Sequence, residues 1–145
     1  MTRINLVPVE ELSDQHLIAE YRELPRCIKQ TVNTSNAPDK YCLGKGHVKW
    51  ARHHCLFLLG RYVDLYKEMK FRGFKLSYDL DSLLQLSDKL PLEDLKTYHP
   101  TRQDIKLSQN RIIEKFRLRP NWYKWTKRNA PKYLKFNAEK IKAYT

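Results

Sequence analysis

The sequence predicts an all-α fold: one compact domain built as a bundle of three main helices joined by long loops. Three observations carry this expectation. Apolar residues recur at spacings of three and four in separate stretches, no stretch shows the alternation of a half-buried strand, and no internal repeat divides the chain. A length of 145 residues with 41% hydrophobic content suffices for one modest core and is short for two. The domain is read as 1–145, with a basic, aromatic tail from about 121 to 145.

The first helix is expected over residues 14–33, where Leu17, Tyr21, Leu24, Ile28 and Val32 form one stripe, with Ser13 or Asp14 as N-cap. At about 100° per residue the opposite face collects Gln15, Arg22, Glu23, Arg26, Lys29 and Gln30, with His16 at its edge. Pro25 lies inside this pattern and is expected to kink the helix or leave a local defect. Residues 33–46 read as a loop. A second helix from about Trp50 to Arg72 places Leu56, Leu59, Val63, Tyr66 and Met69 on its buried stripe and stops at Gly73. Residues 74–100 read as irregular chain with a short helical turn near Leu80–Leu86. A third helix, Thr101 to Leu118, buries Ile105, Ile112 and Phe116 and carries Arg111 and Lys115 together on its other side. It ends before Pro120.

Lys and Arg number 28 against 16 Asp and Glu, a formal charge of +12 that points to a polyanionic partner. Simple solubility is the alternative, and the distribution of charge argues against it. From Arg111 onward there are eleven basic residues and two carboxylates, Glu114 and Glu139. Asn5, Glu10, Glu11 and Asp14 interrupt any N-terminal apolar run, and nothing approaches the roughly 18 apolar residues of a membrane span, so a soluble, cytoplasmic protein without membrane contact is expected. Cys27, Cys42 and Cys55 form no CxxC pair, which suits a reducing compartment. Cys42, His47, His53, His54 and Cys55 have ligand-type side chains, but their spacing matches no regular zinc finger, and no metal or other cofactor is expected. Gly44-Lys45-Gly46 lacks the spacing of a nucleotide-binding loop.

The N-terminus holds the first candidate for chemistry. Met1 precedes a small residue, so its removal would leave Thr2 with a free α-amine. An α-amine has a reference pKa near 8 against about 10.4 for lysine, so its nucleophilic neutral form is on the order of a hundred times more abundant at neutral pH. Arg3 and Arg22 would depress that pKa further. On the polar helix face Glu23 is the single carboxylate, flanked by Arg22 and Arg26. Two readings are open: a solvated ion pair on a helix surface, or arginines binding phosphates while Glu23 handles protons at the sugar between them.

The opening MTRINL, continuing as ELSDQHLIAEYRELPR from Glu11 to Arg26, resembles the T-even bacteriophage endonuclease V family of pyrimidine-dimer DNA glycosylase/AP lyases. The similarity resumes at LGKGHV (Leu43 to Val48), RGF (Arg72 to Phe74), SQNR with Glu114 and Lys115, and RPNWYK (Arg119 to Lys124), in family order. The resemblance implies that Thr2 is the nucleophile and Glu23 the catalytic carboxylate. It also implies that Arg3, Gln15, Arg22 and Arg26 contact DNA around the lesion, that His16 stands near the site, and that Arg111 and Lys115 contact phosphates. The implied partner is duplex DNA containing pyrimidine dimers or abasic sites, bound by a monomer that kinks the duplex and extrudes a base opposite the dimer. If the source is viral, as the resemblance suggests, the host nucleoid is the implied location.

Two departures from the family stand out. The loop between Arg26 and Gly44 is shorter, and WYKWT (Trp122 to Thr126) replaces a run of tyrosines. Trp122, Tyr123 and Trp125 are read either as DNA contacts or as aromatics closing the bundle, and Lys124 as a DNA contact. A noncatalytic DNA-binding module of the same fold, and a glycosylase for a different damaged or modified base, remain the alternative functions.

Overall fold

The computed structural model describes residues 4–29, 32–76 and 80–134. Its α-helices are α1 (Asp14–Lys29), α2 (His47–His53), α3 (Cys55–Arg72), α4 (Leu80–Ser87) and α5 (Arg102–Leu118). Among the described residues there is no strand, only an isolated antiparallel bridge between His54 and Leu95. The fold is all-α, as the periodicity predicts.

α1 starts at the predicted cap: the Ser13 hydroxyl accepts the N–H of His16 at 3.1 Å, satisfying a donor that the first turn leaves free. Leu17, Tyr21, Leu24 and Ile28 are buried along one stripe. The helix runs through Pro25, which is itself buried, and is described as far as Lys29; Val32 is not helical, so it is not on this stripe.

The expected second helix is two helices. His54 breaks the chain at φ −112°, ψ 47°, and its Nδ1 donates to the Trp50 carbonyl at 2.7 Å. The break resets the phase of the stripe. α3 buries Leu58, Leu59, Tyr62, Leu65 and Met69, whereas Leu56 is 47% exposed and Val63 and Tyr66 are half-buried. Gly73 ends α3 at φ 84°, a conformation that favours glycine, with the N–H of Phe74 returning to the Met69 carbonyl.

α4 occupies the predicted short helical stretch. α5 opens with a capping box between Thr101 and Asp104 and buries Ile112 and Phe116. Ile105 is only half-buried because Asp104 and Ser108 take the inward positions beside it.

α1 packs on α3, flanked by α2 and α4. α5 joins this core through Ile112 and Phe116 and through other chain segments. The Leu6 N–H donates to Ser108 Oγ at 3.0 Å, and Phe116 meets Tyr123 and Trp125 from the tail. The gap that remains between α1 and α5 is where the candidate site lies.

Candidate active site

A cleft of about 190 Å³ opens between α1 and α5, lined by Asn5, His16, Ala19, Glu20, Glu23, Arg111, Ile112 and Lys115. The register of each helix explains the set. Residues 16, 19, 20 and 23 share one face of α1, each three or four positions from others of the set, as do 111, 112 and 115 on α5. Glu23, His16, Arg111 and Lys115, singled out from the sequence, are thus brought to one cleft.

Two carboxylates face this cleft, and their surroundings separate them. Glu20 is 2% exposed and accepts Arg61 Nε at 2.8 Å, Arg61 Nη2 at 3.1 Å and Asn5 Nδ2 at 2.9 Å. Its charge is neutralised and its lone pairs are engaged. Glu23 is half-buried, and among the described residues no ion pair joins it to Arg22 or Arg26. Both arginines are exposed on the same helix, so the solvated ion-pair reading of this face is not the arrangement found.

His16 is held from two sides. Its Nδ1 lies 2.9 Å from the Ser13 hydroxyl, and its ring stacks on Tyr123 with centroids 4.9 Å apart and planes within 7°. Burial, and then the neighbouring Lys115, lower its pKa to about 4, so it faces the cleft as a neutral imidazole at physiological pH. Among the described residues Arg111 makes one ion pair, a long one to Glu114 at 3.9 Å, and Lys115 is exposed. With Glu20 cancelled by Arg61, positive charge prevails around Glu23.

The chain just before the cleft is fixed residue by residue. The Ile4 N–H donates to His47 Nε2 at 2.8 Å, and the Ile4 carbonyl accepts the Tyr41 hydroxyl at 2.7 Å. Asn5 reaches Glu20, Leu6 reaches Ser108, and the Val7 carbonyl accepts Arg61 Nη1 at 2.6 Å. Ile4 and Val7 are fully buried. Thr2 and Arg3 lie outside the described residues.

The tail segment 122–128 is clamped onto the start of α1. The Asp14 N–H donates to the Lys124 carbonyl at 2.7 Å, and the Asp14 carboxylate accepts the Thr126 N–H, the Thr126 hydroxyl and Arg72 Nη1. Gln15 uses its amide on the same segment, donating to the Trp122 carbonyl at 2.9 Å and accepting the Lys124 N–H at 3.1 Å. Arg128 and the buried Arg72 share Glu68. The two readings of the tail aromatics therefore divide by residue. Trp125 donates its indole N–H to the Glu11 carbonyl at 3.0 Å and packs near Phe116, and Tyr123 is stacked on His16; both are half-buried. Trp122 is 46% exposed with the Arg119 guanidinium 4.7 Å from its ring centre, and the Lys124 side chain is exposed. The last basic residues of the tail, from Lys135 on, lie outside the described residues.

Among the described residues no group of three His, Cys, Asp or Glu side chains converges as a metal-ligand set. His53 lies against Asp94 at 3.1 Å, His54 bonds to Trp50, and Cys27, Cys42 and Cys55 are free thiols. No helix of the described residues is long and apolar enough to cross a membrane.

Sequence reasoning missed Asn5, Glu20, His47, Arg61 and Arg72 as parts of the site's framework. Periodicity assigns charged residues to the surface, and these pair across the chain, Arg61 with Glu20 and Arg72 with Asp14. A signal was present for most of them, because Asn5 and Glu20 fall in the opening block of resemblance, His47 in LGKGHV and Arg72 in RGF. Against known families, a family model described as pyrimidine dimer DNA glycosylase matches residues 1–82, the stretch that supplies the N-terminal segment, α1 and its anchors.

Proposed function

Because the chain belongs to the pyrimidine dimer DNA glycosylase family, we propose that it is a bifunctional glycosylase and abasic-site lyase whose nucleophile is the α-amine of Thr2 once Met1 has been removed. The observation that carries this reading is the anchored segment Ile4–Val7, from which Asn5 lines the same cleft as Glu23. Two residues of chain reach about 7 Å beyond Ile4, which suits an amine meant to work at that cleft.

In this mechanism the amine nitrogen attacks C1′ of the 5′ nucleotide of the dimer. The C1′–N1 bond breaks and its electron pair leaves with the base. The nitrogen loses one proton, its lone pair forms the C1′=N bond as the C1′–O4′ bond breaks, and the ring oxygen takes up a proton, which leaves a protonated imine. The iminium acidifies the C2′ proton; its removal expels the 3′ phosphate by β-elimination and cuts the strand. Glu23 stabilises the cationic sugar and then carries protons, while the uncancelled positive charge of the cleft offsets the phosphates.

Arg3, Arg22, Arg26, Arg111 and Lys115 would then hold phosphates around the lesion, and Trp122 and Lys124 would meet the duplex beside them. His16 would serve as a neutral hydrogen-bonding group at the sugar. Gln15, Tyr123 and Trp125 support the interface by holding the tail against α1. The working species is a monomer on duplex DNA, and the basic tail adds salt-sensitive affinity.

The test is borohydride reduction during reaction with a dimer-containing duplex. A covalent protein–DNA complex and a broken strand are expected. A protein that binds the duplex but yields neither would leave only a DNA-binding module.

A further inference from the structure

We propose that His47 is a positioning residue for the N-terminal nucleophile, acting through Ile4; this rests on the reading of the Thr2 amine above. His47 is 1% exposed and sits at the start of α2. An amide N–H only donates and a carbonyl only accepts, so the two bonds of its ring fix its protonation. Nε2 accepts the Ile4 N–H at 2.8 Å, and Nδ1 must therefore carry the proton that it donates to the Cys42 carbonyl at 2.8 Å.

The ring is gripped on the remaining sides. Tyr41 stands edge-on to it at 5.6 Å, and Trp50 lies roughly parallel at 6.1 Å. Gly46, just before it, has no room for a side chain, since a Cβ there would come within 2.9 Å of Pro38 Cγ. The same Tyr41 binds the Ile4 carbonyl. Ile4 is thus clamped at both its amide and its carbonyl by two side chains packed on each other.

The role needs an imidazole because one rigid ring must accept at one end and donate at the other. Its significance for catalysis comes from distance. Ile4 is the anchored position two residues from the Thr2 nucleophile, and a misplacement of about 1 Å at a reacting atom can cost on the order of a hundredfold in rate. DNA affinity depends on other residues, so His47 should govern the chemical step more than binding.

The experiment compares wild type, His47→Leu, His47→Gln and Tyr41→Phe by single-turnover borohydride trapping on an abasic-site duplex. Affinity is measured on a duplex carrying a tetrahydrofuran abasic analogue, and melting temperature alongside. His47→Leu should trap at least about tenfold more slowly with affinity within about threefold of wild type. His47→Gln, whose side-chain carbonyl restores an acceptor, should recover most of the rate. Tyr41→Phe, which removes only a hydroxyl, should slow trapping severalfold with little loss of affinity, and decides the matter if His47→Leu does not fold. Wild-type trapping rates in His47→Leu or in Tyr41→Phe would overturn the proposal, as would rate, affinity and melting temperature falling together with no recovery in the Gln variant. Failure of the wild type to trap at all would instead sink the amine chemistry itself.

Discussion

Arg61 holds Glu20 with two nitrogens, at 2.8 and 3.1 Å, in the wall of the cleft that Glu23 also lines. The two carboxylates are one helical turn apart and do different work. Removing one partner of a buried ion pair strands the other charge, which typically costs about 3–5 kcal/mol. Glu20→Gln should therefore lower stability by about that amount in urea unfolding.

Glu23→Gln should behave in the opposite way. Glu23 is in no ion pair with its neighbouring arginines, so unfolding should move by no more than about 0.5 kcal/mol. Strand cleavage should fall by at least about a hundredfold, the low end of what a positioned acid–base group contributes. Loss of a negative charge facing DNA should leave affinity equal or higher, as read by anisotropy on an uncleaved duplex.

His16 makes a pH-dependent prediction. Its folded pKa, about 4, lies below the ordinary imidazole value of 6.5, so between those values the unfolded chain binds more protons than the folded one. Its contribution to stability is therefore present in full above pH 6.5 and declines as pH falls toward 4. Unfolding free energies at pH 4.5 and 7 should differ less in His16→Phe than in wild type. An imidazole titrating near 6.5 by NMR in the folded wild type would contradict this.

The two tail tryptophans should separate binding from stability. Trp122→Ala removes an exposed ring; stacking on a base is worth about 1–3 kcal/mol, so DNA affinity should drop about tenfold with an unchanged melting temperature. Trp125→Phe loses the hydrogen bond to Glu11 and should cost about 1 kcal/mol of stability, with a smaller effect on affinity.

Legibility from sequence followed the range of the interactions. The two faces of α1 were plain, because Leu17, Tyr21, Leu24 and Ile28 repeat at the helical period and leave Arg22, Glu23 and Arg26 opposite. Arg111 and Lys115 were likewise paired by spacing alone, and both line the cleft. The break at His54 was not visible, since it depends on a side-chain bond to Trp50 and a bridge to Leu95, forty-one positions on. Arg61 and Arg72 were equally hidden: a charged residue within a helix reads as exposed until its partner, here Glu20 or Asp14, is placed by the fold. The N-terminal segment carries no periodicity at all, and its anchors come from two distant parts of the chain, Tyr41 and His47 from one and Ser108 from the other.

Everything proposed for catalysis depends on which nitrogen meets the sugar. The most direct measurement is mass-spectrometric mapping of the borohydride-trapped complex after nuclease and protease digestion. The reduced deoxyribose remnant should sit on the α-nitrogen of a peptide beginning at Thr2. A remnant on a lysine side chain, such as Lys115, which lines the cleft, or on a chain that still begins with Met1, would contradict the account.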